Sequence, residues 1–368
     1  MEKYTWRILR GQPLRLALTV GGVALCLMLM FFLLAVYRGV AEGSVEYIRS
    51  CPADLWVLQH NSTNILRGSS MISTPQATAL REFAGIAQVG SVLFVLSASG
   101  VRGRDGTLFL TGFEPETGLG GPPRLVAGVS VQRDDEIVLD SCYAAKYDIH
   151  VGDRIWIQDW KLKVVGVSSG TNAFVIQYAF VTLNFAQRLV GISELATCFI
   201  IRLRDGISAP VMARRIRMDV PGVDVYDWET FLTNNIAEME SGFLPLLYTV
   251  AAIGVVVLTI ILSLLLGVNI LERRRDFAVL KILGAPAAFQ KRLVIAQALL
   301  ITLAACAVAL LAYFPMVWMV ERLAPEVSTR SSILQIGTVV LVAGVMSLVA
   351  ALMATRRLRR IYILEVCL

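Results

Sequence analysis

The residues that could do bond-making chemistry are few and scattered. His60 and His150 are the only two histidines, and neither has a metal-ligand partner at a useful spacing. There is no HExxH pair, no paired-cysteine motif and no GxxxxGK[ST] phosphate loop. The glycine-rich stretch Gly118-Leu119-Gly120-Gly121-Pro122-Pro123 reads as a loop rather than a phosphate cradle. Of six cysteines, Cys26 and Cys306 lie in apolar runs and Cys367 in the tail, leaving Cys51, Cys142 and Cys198. Three is odd and no spacing suggests a framework, so at most one disulfide is expected among them. These absences point away from catalysis. The densest chemistry is instead a charged and apolar mixture, Glu272-Arg273-Arg274-Arg275-Asp276-Phe277-Ala278-Val279-Leu280-Lys281-Ile282-Leu283-Gly284-Ala285. Such a segment docks onto surfaces rather than breaking bonds.

What positions it is membrane. Ser241–Leu271 runs for 31 residues without a charge, and about 20 apolar residues cross a bilayer as a helix. Three similar runs follow from the sequence: Leu16–Tyr37, Leu293–Val320 and Ser331–Thr355. With 56% hydrophobic and 17% charged residues, this is an integral membrane protein. The first run lacks a small-residue cleavage site and reads as a retained anchor. None of the runs contains Asp, Glu, Lys, Arg or His, whereas an ion-coupled carrier usually needs an ionisable group inside the membrane. Gln297, Thr259 and Ser263 are polar enough to hydrogen-bond between helices, and Gly254, Gly267, Gly337 and Gly344 are packing sites.

Charge sets the orientation. Lys3, Arg7, Arg10 and Arg15 precede the first run. Arg273, Arg274, Arg275, Lys281, Lys291 and Arg292 separate the second and third, and Arg356, Arg357, Arg359 and Arg360 follow the fourth. Acidic residues on these segments are only Glu2, Glu272, Asp276 and Glu365, so the net +6 splits into +10 on these segments and −4 on the rest. The positive-inside rule then puts both termini and the 272–292 loop in the cytoplasm. Membrane lipids account for the basic excess better than nucleic acid does, and no nucleic-acid partner is expected. Residues 1–15, with Tyr4, Trp6, Ile8 and Leu9 among the charges, read as a cytoplasmic amphipathic segment.

The expected fold is an α-helical membrane protein with four transmembrane helices and a large α+β extracytoplasmic domain between the first and second. The spans are 16–37, 245–271, 293–320 and 333–355; the domain is 38–244. The loop 272–292, an external loop 321–332 and a tail 356–368 complete the map. Within 38–244, Thr74-Pro75 opens a helix to about Ala84 that turns at Gly85 into a strand over Ser91–Ser97. Pro210 opens a second helix through Ile216, ending in the similar turn Val220-Pro221-Gly222-Val223. Two αβ halves of one subdomain therefore flank a strand-rich middle, 105–205, with β-branched and aromatic stretches at Thr107–Thr111, Glu136–Asp140, Arg154–Gln158, Lys161–Val167, Tyr178–Leu183 and Cys198–Leu203. From Asp227 the pattern is helical into the second span. Its uncharged 31 residues would extend about 46 Å, more than the hydrocarbon core, so the helix is expected to project outward as a stalk.

The stretch from Glu272 to Ala285 closely resembles the cytoplasmic loop of the FtsX-like permease family, the MacB, LolC/LolE and DevC type of ABC-transporter subunit. The tail Arg356-Arg357-Leu358-Arg359-Arg360-Ile361-Tyr362-Ile363-Leu364-Glu365 resembles the family's ending, with Tyr362-Ile363 where an acidic residue and proline are usual. Val151-Gly152-Asp153-Arg154-Ile155 followed by Lys163-Val164-Val165-Gly166-Val167 is similar to the family's external domain. The resemblance implies a permease subunit of the DevC/HrtB-like branch, without enzymatic activity or cofactors of its own. It implies a homodimer bound to two copies of a separate ABC ATPase that carries ATP and magnesium, with room for a periplasmic adaptor of the membrane-fusion type. The chain ends eight residues after Arg360, so no fused ATPase domain is expected. Cargo would be handled at the outer side of an inner membrane, as lipid, haem, peptide or drug. The alternative is an FtsX-like signalling or scaffold subunit that controls an external enzyme.

The resemblance makes Glu272, Arg273, Arg274, Arg275, Phe277, Leu280, Lys281, Leu283, Gly284 and Ala285 the ATPase-coupling segment. The residues agree: Phe277, Leu280 and Leu283 recur at helical spacing, and an apolar edge too small to fold alone wants a partner groove. The competing explanation is that Arg273–Arg275 only anchor the second span by snorkelling.

Overall fold

The computed structural model of the chain describes residues 13–65, 70–173, 176–272, 286–323 and 333–358. Contacts divide these residues into two compact units. A helical unit holds the chain up to Arg38, Pro245–Val320 and the last helix; a sheet unit holds Gly39–Leu244 and the segment that begins at Glu321.

Helix α1 (Pro13–Ser44) leads through α2 (Glu46–Ser50) into β1 (Leu55–Gln59), β2 (Ile72–Ser73), α3 (Pro75–Arg81) and β3 (Ile86–Val101). Next come β4 (Arg104–Phe113), β5 (Leu125–Gly128), β6 (Glu136–Asp140), α4 (Ser141–Tyr147), β7 (Arg154–Ile157) and β8 (Trp160–Ser168). They are followed by β9 (Asn172–Ala173), β10 (Ile176–Thr182), α5 (Leu183–Val190), β11 (Leu195–Ala196), β12 (Cys198–Leu203), α6 (Ala209–Asp219) and β13 (Val223–Asp227).

One sheet of 11 strands organises this unit, in the order β13-β1-β12-β3-β4-β10-β6-β8-β5, with β7 and β9 off the path. Its first four strands are all antiparallel neighbours. Read along the chain they give β1-α3-β3 and, much later, β12-α6-β13, a split βαβ arrangement of ferredoxin-like type. Each half reaches its second strand through a left-handed glycine, Gly85 (φ 104°) or Gly222 (φ 80°), a conformation other residues adopt only with strain. The two αβ halves expected from sequence are thus present. The first helix stops at Arg81, short of Ala84, and its preceding Thr74 is itself helical with no capping bond.

Between the halves the strands close on themselves. β3 pairs β4, β4 pairs β10, β10 pairs β6, β6 pairs β8, β8 pairs β7, and β7 returns to β3 at Ser99↔Ile157. That ring is a six-stranded barrel, and closure removes the edges that an open insert would expose. Leu93, Leu108, Leu110, Ile155, Val164, Ala179 and Val181 fill one apolar cluster, which Tyr143 and Phe185 from α4 and α5 complete. Asp140 caps α4, accepting from the Cys142 amide at 2.8 Å, and Thr182 caps α5.

Side-chain alternation then sorts the split-βαβ sheet into two buried faces. Leu55, Val57, Phe199 and Ile201 join Leu80, Met212 and Ile216 under α3 and α6. Trp56, Leu58, Cys198 and Ile200 face the other way, into an aromatic layer with Tyr47, Phe113, Tyr178, Phe180 and Phe231. The glycine-rich loop at 118–123 belongs to this second layer. Leu119 is buried there, and a Cβ on Gly120 would lie 2.3 Å from a Val92 methyl, so glycine is required for close packing.

The helical unit consists of α1, α7 (Trp228–Glu272, shared with the sheet unit), α8 (Ala287–Leu323) and α9 (Ile333–Leu358). Three described helices contain stretches long and apolar enough to cross a membrane: Ala17–Val40, Lys291–Val320 and Ile333–Thr355. α7 carries a shorter apolar stretch, Tyr248–Leu264. It runs unbroken through Pro245, although proline supplies no amide to the carbonyl four residues back.

Candidate functional site

The candidate coupling segment is bounded by two helices. Asp227 caps α7, accepting from the Thr230 amide at 3.1 Å, and from there one helix of 45 residues runs to Glu272. Midway, Leu262 is buried in the helical core and the Thr259 hydroxyl donates to the Met346 sulfur of α9 at 3.0 Å. On the far side the Phe289 amide donates to the Pro286 carbonyl, opening α8 at Ala287. Of the ten candidate residues, Glu272 is the last residue of α7. Arg273, Arg274, Arg275, Phe277, Leu280, Lys281, Leu283, Gly284 and Ala285 lie outside the described residues.

Elsewhere the polar groups of the spans behave as packing elements. Gln297 is buried in α8, and Thr302 and Ser347 also bury their hydroxyls in the helical core. Nothing in the sequence distinguished these last two from other span hydroxyls, because burial depends on which face meets a neighbouring helix. An apolar groove of about 230 Å³ lies between α1 and α7, with Leu29, Met30 and Leu33 opposite Ile253 and Gly254.

The sheet unit has two polar clefts of about 570 Å³ each. One is bounded by Asp54, Arg202, Asp227 and Glu229. Asp54 accepts the Leu203 amide at 2.7 Å, so with Asp227 it serves the backbone. The other lies over Asp134, whose carboxylate takes the Thr182 hydroxyl on one oxygen and Arg188 on the other at 2.5 Å. A carboxylate occupied on both oxygens is a brace rather than a base.

His60 reaches Asp224 at 3.3 Å, and Asp224 also accepts the Asn61 amide. His150 is remote in the fold, its amide bonded to Asp153. Among the described residues no group of three or more His, Cys, Asp or Glu could hold a metal ion. No disulfide joins Cys51, Cys142 and Cys198. Burial pushes the Cys51 thiol up to about 12, despite a hydrogen bond from the Gly120 backbone, and burial likewise pushes Cys198 up. Thiols held protonated in this way are poor nucleophiles. Asp140 is also raised by burial, although the Thr171 hydroxyl donates to it at 2.7 Å. The described geometry braces a scaffold.

The MacB-like periplasmic core domain family matches residues 16–218, and the FtsX-like permease C-terminal family matches residues 248–363. No curated protein matches. Among solved structures, the periplasmic region of MacB from Actinobacillus actinomycetemcomitans aligns at 13% identity with a TM-score of 0.42. That alignment covers 50% of this chain and 92% of that one. The extracellular domain of the noncanonic ABC-type transporter YknZ from Gram-positive bacteria aligns at 12% identity and TM-score 0.37, covering 48% and 99%. A domain of a putative permease protein from Porphyromonas gingivalis aligns at 16% identity and TM-score 0.33, covering 47% and 86%. One family thus covers α1 and most of the sheet unit and the other the later helices: the chain belongs to the MacB/FtsX-type ABC-transporter permeases.

Proposed function

We propose that this permease couples ATP hydrolysis on a separate ATPase subunit to extrusion of a substrate handled at the outer face of the inner membrane. The observation that carries the proposal is α7. Its first residues belong to the sheet unit, it continues through the helical unit, and it ends at Glu272, where the family-like coupling segment begins. A continuous helix transmits displacement along its axis, because every turn is hydrogen-bonded to the next.

In this reading the chain crosses the membrane four times, at 16–37, 245–271, 293–320 and 333–355. The sheet unit, 38–244, lies outside, and the 1–15, 272–292 and 356–368 segments lie in the cytoplasm. The second crossing is supported by the uncharged run Ser241–Leu271 and the basic cluster after it. Two copies of the chain meet two copies of the ATPase, and Phe277, Leu280, Leu283 and Gly284 enter a groove on it. Arg273–Arg275 hold the loop at the lipid surface. The compact external domain and the single copy of the unit favour the DevC/HrtB-like branch.

The test is Leu283→Asp. A charge forced unpaired into an apolar groove costs several kcal/mol, so this variant is expected to insert and dimerise normally yet fail to pull down the ATPase from membranes. Arg274→Ala is expected to lose only about 1 kcal/mol of surface attraction and to retain association. Equal pull-down by wild type and Leu283→Asp would leave lipid anchoring as the loop's sole role.

A further inference from the structure

The chain passes between its two units in three described helices, in α1 after Arg38, in α7 before Pro245 and in α8 after Val320. Just inside the sheet unit, the residues that follow the first passage and precede the second converge on one side chain, Trp56. It lies on β1, which has β12 on one edge and β13 on the other, and it is fully buried. Phe231 of α7 stacks on it with ring centroids 4.7 Å apart and an interplanar angle of 20°. Tyr47 of α2 meets it edge-on at 6.4 Å. A direct bond ties these two passages together: the Trp228 indole N–H donates to the Ile48 carbonyl at 3.2 Å. One turn further along α7, the buried Asn235 side chain accepts the Ile65 amide and donates to the Phe231 carbonyl.

The layer does not stop at Trp56. Tyr47 stacks on Tyr178 of β10 at 5.1 Å and 16°, and Tyr178 meets Phe109 of β4 at 5.2 Å. Phe109 stacks on Phe94 of β3 at 5.4 Å. β10, β4 and β3 are staves of the barrel. Contiguous ring contacts therefore join the starts of α7 and α2 to the barrel wall. Close-packed interiors move between discrete arrangements rather than deforming smoothly, so a displaced ring displaces its neighbour. Energetic coupling over such distances is carried by contacts of this kind.

We infer that Trp56 is a positioning residue for transmission: it gathers movement of α2 and α7 into one displacement of the ring layer and so of the barrel. This rests on the permease reading above. Ordinary core packing would use the same rings, but it would not require the Trp228 bond or make the barrel's response depend on it.

The experiment uses the full chain, with the ATPase subunit that copurifies with it, in lipid nanodiscs. A fluorophore is attached at Val151→Cys, an exposed barrel position, and the signal from labelled chain lacking that substitution is subtracted. MgATP is expected to shift the fluorescence of the wild-type background. Trp56→Phe shrinks the bridging ring, and Trp228→Phe removes the N–H donor to Ile48 together with part of the ring. Both are expected to keep wild-type ATPase association and hydrolysis while losing most of the shift. Should Trp56→Phe fail to fold, Trp228→Phe carries the same prediction alone. A full shift in the folded variants, or loss of ATPase association by them, overturns the role of Trp56. Hydrolysis without any shift in the wild-type background overturns the transmission reading itself.

Discussion

The two units solve opposite packing problems. In the sheet unit the core is built from large side chains: Trp56, Tyr47, Tyr143, Tyr178, Phe113 and Phe199 are all essentially fully buried. In the helical unit many buried positions are small, among them Ala298, Ala305, Ala309, Ala343, Ala350, Ala351 and Ala354, while Leu303 (68% exposed), Leu311 (75%) and Leu341 (68%) point outward. In water that inversion would be costly, since exposed leucine loses the transfer energy that folds a soluble core. In lipid it is the expected design, because hydrocarbon solvates leucine and helices gain by bringing small residues close. The comparison shows which solvent each unit is built for, independently of any motif.

Three measurements would break or sharpen that contrast, and the largest effect belongs to the sheet unit. Phe199→Ala empties a fully buried site on β12 and is expected to destabilise the sheet unit by about 3–5 kcal/mol. Leu311→Ala should leave stability nearly unchanged. Urea unfolding of the solubilised chain followed by tryptophan fluorescence reads the first, because Trp56, Trp156, Trp160 and Trp228 all lie in that unit. Retained secondary structure in detergent reads the second. Equal penalties would mean that Leu311 packs against protein.

A middle-sized effect is expected from overpacking the helical core. Ala305 is fully buried, and Ala305→Leu should cost about 1–3 kcal/mol, visible as earlier thermal loss of the solubilised chain. The same substitution at the exposed Ala304 should cost little. If the two variants melt together, small residues are not what holds these helices close.

The third effect, smallest because it vanishes at neutral pH and develops only in alkali, separates the units by pH. The folded sheet unit keeps the Cys51 thiol protonated up to about 12, whereas the ordinary value is 9.0. Above pH 9 the unfolded state therefore releases a proton that the folded state retains. Stability falls by about 1.4 kcal/mol per pH unit between those limits for this group, and is unaffected below pH 9. Cys51→Ala should flatten that part of the alkaline slope in urea unfolding at pH 9–11. An unchanged slope would show that Cys51 is solvated.

Much of the local structure was legible. Pro75 and Pro210 sit within the first two positions of α3 and α6, and the strands Glu136–Asp140 and Cys198–Leu203 match their sequence limits. These signals depend only on neighbours in the chain. β3 was less legible, being 16 residues long where only Ser91–Ser97 stood out. Its first half pairs β12 and its second half pairs β4 and β7, so both faces are buried in turn and the simple alternation is lost. The coupling segment is a sequence reading throughout, resting on helical spacing and family resemblance.

By itself the sequence determined what acts at short range: apolar runs long enough for lipid, a charge bias that orients them, helix starts, turns and strands. Only the tertiary structure decided that six strands close into a barrel, because Ser99 and Ile157 pair across most of the insert. It also assigned the glycine-rich loop to the core, where Gly120 gives room to Val92 and accepts the Tyr47 hydroxyl at 2.8 Å. Trp56 took its place between two chain passages for the same reason. Phe231 and Tyr47 are distant from each other in sequence, and no local periodicity records which rings will meet once the sheet has formed.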